Sequence, residues 1–156
     1  MSEDTAAAAG DNIETIEEAF SAVINGAHLS AIKEELRAEA VCIAFICRNG
    51  YGLEWVPEDK KTIPVCLTAV SMSPNEFKSV PLENREFAIC MIAVSENALN
   101  LRLVPDEINT FGICLMAVLK NPETIIYVPQ KFIKKVLKKL AKKEIKKFMK
   151  KNDIEI

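Results

Sequence analysis

The sequence points to an all-α protein made of short helical-hairpin repeats of 24 residues, stacked as a small solenoid and followed by a long C-terminal amphipathic helix. Three observations lead there. Cys42, Cys66, Cys90 and Cys114 stand 24 residues apart. The pairs Val56-Pro57, Val80-Pro81, Val104-Pro105 and Val128-Pro129 keep the same period. Five glycines and seven prolines in 156 residues are too few for a β protein with many tight turns.

Other columns share the register. Val41, Val65, Ile89 and Ile113 precede the cysteines, and Ile43, Leu67, Met91 and Leu115 follow them. Phe45, Ala69, Ala93 and Ala117 come three residues after, and Ile46, Val70, Val94 and Val118 four after. Leu53, Phe77, Leu101 and Ile125 come eleven after. Four copies aligned in this many columns define repeats at 38–61, 62–85, 86–109 and 110–133.

Each unit reads as two helices. The first is typified by Ile63 to Met72, with Thr62 and Thr110 as N-caps whose side-chain oxygens accept a free backbone N–H. Its apolar positions are dense, as suits a helix buried between neighbours. The second begins at Ser73-Pro74 and Asn121-Pro122, a polar cap followed by proline at the first helical position. It ends about seven residues later at Val-Pro, because proline lacks an N–H and pushes the preceding valine toward an extended conformation. Linkers such as Glu58 to Lys61 lead onward. Helices this short do not persist alone in water, so each unit must bury its apolar columns against the next.

Residues 13–37 read as a degenerate capping unit. An amphipathic helix is expected over Ile13 to Ile24. Asn25-Gly26 matches Asn49-Gly50, Leu29 matches Leu53, and Ile32 matches Val56, while Lys33 takes the proline position. An acidic terminal unit with a polar outer face would cap the stack. Residues 1–12 and 152–156 read as tails, and residues 13–151 as one domain.

The columns Pro64-Val65-Cys66-Leu67 with Ala69-Val70, and Ile113-Cys114-Leu115 with Ala117-Val118-Leu119-Lys120-Asn121, resemble the repeat family catalogued as domain of unknown function 4116. Gly50-Tyr51-Gly52-Leu53-Glu54-Trp55-Val56-Pro57-Glu58 is similar to the second half of that repeat. The resemblance covers four units, Ala38 to Ile133. It implies short paired helices and no activity, and it supplies no catalytic residues. Ser71-Met72-Ser73-Pro74 and Ser95-Glu96-Asn97-Ala98 depart from the usual Lys-rich, Gly-containing turn, so turn geometry is expected to vary among copies.

Nothing points to catalysis, a cofactor or a metal. Cysteines spaced by 24 lack the close clusters zinc needs. Stacked helices lie roughly 8–10 Å apart, beyond the usual reach of about 7 Å for a disulfide. The register cysteines therefore read as buried core thiols in a reducing compartment. Cys47, outside the column, is the one expected to be accessible. His28 is the sole histidine and has no motif around it. The acidic start Met1-Ser2-Glu3-Asp4 is unlike a secretory signal, which leads to the expectation of a cytoplasmic protein.

Two groups of residues are candidates for partner binding. Trp55, Leu103 and Tyr127 share a column, with Tyr51 four residues before Trp55. Exposed, they would be anchors; packed between short helices, they would be core, which is the reading favoured here. The other group is basic. Residues 131–156 carry 11 lysines and 3 acids, against 9 basic and 19 acidic residues in 1–130. Apolar residues from Phe132 to Met149 recur at a spacing nearer four than 3.6, so the apolar stripe slews round the helix. Phe132 to Ala141 is expected to seal the last repeat, leaving Ile145, Phe148 and Met149 to reach either the body further back or a second chain.

Lys134, Lys135, Lys138, Lys142 and Lys146 then have three readings. They form the solvated face of a structural cap, a helix for a membrane surface or another protein, or a phosphate-binding face for nucleic acid. The leading expectation is a non-enzymatic protein–protein interaction module. The alternative is a peripheral binder of anionic membrane or nucleic acid through the Lys-rich helix. A homodimer through that helix is a further possibility.

Overall fold

The computed structural model describes residues 13–151, with side chains as far as Lys143. The expected tails, 1–12 and 152–156, lie outside the described residues, as do the side chains of Ile145, Lys146, Phe148 and Met149. The described chain is all-helical, without strands. Six α-helices run Ile16–Ile24 (α1), Glu39–Asn49 (α2), Ile63–Met72 (α3), Phe87–Glu96 (α4), Phe111–Lys120 (α5) and Gln130–Lys151 (α6). Helices α2 to α5 start 24 residues apart, at 39, 63, 87 and 111.

The second helix of each unit departs from the expectation of an α-helix. Residues Pro74–Ser79, Ala98–Leu103 and Pro122–Tyr127 form six-residue 3-10 helices, and the first unit shortens this to Leu53–Trp55. Its bonds run from each N–H to the carbonyl three residues back, as in Glu76 to Ser73 and Val80 to Phe77. The winding changes the reach of the segment. Six residues at about 2.0 Å rise cover about 12 Å, whereas an α-turn would cover about 9 Å. The six-residue form follows ten-residue helices, while the eleven-residue α2 is followed by only three residues of 3-10 winding. The segment packs on the helix before it in the second and fourth units. Parts of the linkers are also ordered as single 3-10 turns, Glu58–Lys60 and Leu82–Asn84.

Turn geometry varies among copies, as the sequence led one to expect. Helix α2 ends on Gly50 in the left-handed region, φ 77°, while α3 and α5 end on Ser73 and Asn121 in extended conformation. The Val-Pro prediction holds in every unit: Val56, Val80, Val104 and Val128 have ψ between 124° and 130°. N-capping holds only in part. Thr110 Oγ1 accepts from the Ile113 N–H, but the Thr62 hydroxyl donates instead to the Glu39 carboxylate at 2.5 Å.

The fold divides at Ala93 and Val94 into two compact units. In the first, α1 packs on α2 and α2 on α3. Its core is the register columns: Val41, Cys42, Phe45, Ile46, Val65, Cys66, Ala69 and Val70 are all buried. In the second, α5 packs on the 3-10 segments before and after it and on α6. Its core holds Leu101, Ile113, Cys114, Ala117, Val118 and Val136. Fully burying each Val, Leu, Ile or Phe contributes about 1.5–3 kcal/mol.

Residues 13–37, expected to form a capping unit, differ from expectation at their edge. Helix α1 starts later, at Ile16, behind a capping box in which Thr15 and Glu18 exchange hydrogen bonds. Ala19 and Val23 pack inward, yet Ile16, Phe20 and Ile24 are exposed, so the outer face is not polar. A spacing of four places these three in one row beside the buried face.

Candidate partner-docking surface

The thiols give the clearest view of what the repeat column does chemically. Cys42, Cys66, Cys90 and Cys114 are buried and free, and Cys47 is exposed, as the register implied. Each buried Sγ–H points back five residues. Cys66 donates to the Lys61 carbonyl at 3.3 Å and Cys90 to the Arg85 carbonyl at 3.3 Å. Cys114 reaches the Asn109 Oδ1 at 2.9 Å, and Cys42 lies 3.5 Å from the Arg37 carbonyl. Burial pushes all four thiols up to about 11, so they stay protonated at neutral pH. A nucleophilic cysteine needs the opposite shift. Sequence reasoning took these as simple core residues and missed the acceptor column Arg37, Lys61, Arg85 and Asn109, which the same 24-residue register marks.

The carboxylate of Glu76 makes a second link between units. It accepts from the Gly52 N–H at 3.0 Å and the Leu53 N–H at 2.7 Å, capping the 3-10 turn of the preceding unit. Gly52 and Glu76 share a column 24 residues apart. Among the described residues no group of three or more His, Cys, Asp or Glu is placed to hold a metal ion.

The aromatic candidates are mostly packed. Trp55 is half-buried, with its ring 6.0 Å from Phe45, 4.8 Å from His28 and 5.7 Å from Tyr51. His28 is drawn into this cluster, and its Nδ1 caps the following turn at the Ser30 N–H. Tyr51 is the exposed member, at 51%. Tyr127 is half-buried and belongs to the other compact unit.

The basic candidates form a surface within the second unit. Lys134, Lys135, Lys138 and Lys142 are exposed on α6. The Lys135 ammonium stands 4.2 Å over the Phe111 ring, and Phe111 meets Phe132 at 6.5 Å. Of the residues expected to seal the last repeat, Val136 is buried, Phe132, Ile133 and Leu140 are half-buried, and Leu137 and Ala141 are exposed. The seal is therefore narrower than expected. A stripe repeating nearer every four residues turns out of a straight contact within about two turns.

Where the stripe turns away, a groove opens between α5 and α6. Its volume is about 300 Å³, and it is lined by Leu115, Leu119, Lys139, Lys142 and Lys143. Two leucines give it an apolar floor and three lysines a basic rim. No ion pair reaches these lysines among the described residues. Lys142 was a sequence candidate; Lys139, Lys143 and the leucines were missed. A signal existed: Leu119 stands in the column of Cys47, Ser71 and Ser95, a large aliphatic residue where the other copies carry small ones. No helix among the described residues is long and apolar enough to cross a membrane. Comparison with family models, curated proteins and solved structures finds no match to the chain.

Proposed function

We propose that this chain is a non-enzymatic interaction module working in the cytoplasm. Its 24-residue units, of the kind implied by the resemblance to domain of unknown function 4116, stack as a small solenoid. Its last helices dock a partner protein. The observation that carries the reading is the α5–α6 groove, with Leu115 and Leu119 below and Lys139, Lys142 and Lys143 around. An apolar floor within a polar rim is the general anatomy of a protein-binding patch, and a lysine rim favours an acidic partner. Protonated, buried thiols fit a scaffold in a reducing compartment.

The test compares partners retained from the native host by the wild-type chain and by Leu119→Asp. Leu119 is exposed, so the substitution leaves the core intact. Acidic proteins retained only by the wild type support the reading, and identical retention by both chains contradicts it. A second reading has one specific observation behind it. Leu137, 51% exposed among lysines on α6, suits insertion into an anionic membrane surface. Sedimentation with phosphatidylserine vesicles, lost in Leu137→Glu and retained in Leu119→Asp, would favour that reading.

A further inference from the structure

We infer that the occupant of the α5–α6 groove is helix α1 of a second copy of this chain, so that the protein associates head to tail. The inference rests on the docking reading above and names its partner. Two independent surfaces carry it. One is the groove, apolar below and basic around. The other is α1, whose row Ile16, Phe20 and Ile24 is exposed at 44%, 39% and 54%. Three large exposed apolar side chains in line on one helix face mark a surface suited to docking.

Charge agrees with shape. Among the described residues 13–32 stand three carboxylates, Glu14, Glu17 and Glu18, and no lysine or arginine. On α1 itself, exposed Glu17 borders the apolar row, and Glu14, just before the helix, is exposed too. Residues 131–143 hold seven lysines and no acid. An amphipathic helix laid in an apolar groove is a recurring mode of recognition, with anchors at the spacing Ile16, Phe20 and Ile24 display. Opposite rims bring the two surfaces together and reject like-charged pairings. An α1-to-α1 dimer would set acidic flanks against each other and leave the groove open. A single nine-residue helix offers a small contact, so the association belongs to the weak end of specific interfaces. A heterologous contact does not satisfy itself in a pair, so it propagates unless the geometry closes a ring.

The experiment uses two variants of the full chain, Phe20→Asp at the head and Leu119→Asp at the tail, with circular dichroism to confirm that both stay folded. Sedimentation velocity is run over a concentration series. The wild type should associate beyond a dimer as concentration rises, more weakly in high salt. Each variant alone should associate at least roughly tenfold more weakly, as loss of a central anchor predicts. Mixed in equal amounts, the two variants should form a one-to-one dimer and go no further, since each supplies the surface the other lacks.

A wild type that stays monomeric overturns the inference, as does a mixture in which the two variants do not pair. Self-association unaffected by Leu119→Asp but lost in Phe20→Asp would show a symmetric α1 contact instead. If the wild type is monomeric yet still retains acidic proteins that Leu119→Asp loses, only the self-association fails. If that difference is also absent, the docking reading falls with it.

Discussion

Gly52 and Glu76 occupy the same position of adjacent units and depend on each other. Gly52 has φ 126°, and a Cβ there would stand 2.5 Å from Phe45 Cε1 and 3.0 Å from Trp55 Cε3. Its N–H is one of the two held by Glu76. Gly50 also has positive φ, 77°, but a Cβ there would meet nothing. Gly52→Ala should therefore cost more than Gly50→Ala, by about 1–3 kcal/mol for the added crowding, read from urea denaturation of each variant. Equal costs would mean that the Phe45–Trp55 packing yields freely. Lys33 shows the converse. It fills the proline position with φ −57° and ψ 139°, against −55° and 144° at Pro57. Ile32 before it is already extended, at ψ 133°. Lys33→Pro should stabilise the chain by about 0.4–1 kcal/mol by restricting the unfolded state, seen as a raised urea midpoint. A lowered midpoint would show that the Lys33 N–H or side chain does something the repeat pattern does not reveal.

The helices were legible in the sequence because their signals are local. The expected span Ile63 to Met72 is the observed one, and the Val-Pro ends fell where proline chemistry puts them. The 3-10 winding of the second helix was not legible, because its apolar positions do not distinguish three residues per turn from 3.6 over six residues. Nor was the Thr62 hydroxyl's turn toward Glu39, since that partner is 23 residues away in sequence. The cysteine column yields a prediction about the helices that carry it. Buried thiols held at about 11 keep protons that an unfolded chain gives up near 9. Their contribution is fully present below pH 9 and is lost as pH rises toward 11. Stability measured across that window should fall, at about 1.4 kcal/mol for each unit by which a thiol is raised. Cys90→Ala should flatten the fall by one thiol's share, even though it lowers stability at neutral pH. An unchanged alkaline slope in that variant would show that lysine titration alone accounts for it.

At the level of the whole chain, the candidate site was half legible. The basic helix and Lys142 could be read from composition and spacing, but Leu115, Leu119, Lys139 and Lys143 come together only because α6 lies against α5. The exposed row on α1 was hidden for the same reason: Ile16, Phe20 and Ile24 look like ordinary core residues until Ala19 and Val23 are seen to take the inner face. Both the docking groove and the head-to-tail contact depend on the 24-residue block being a structural unit that adds to its neighbours. Duplicating residues 62–85 in tandem tests that most directly, because the insert preserves every column of the 24-residue register. The account predicts a folded chain with unchanged helical ellipticity per residue, a single cooperative urea transition, and an m value that rises with the added buried surface. An insert that lowers ellipticity per residue and leaves the m value where it was would be an unstructured loop, and would contradict the account.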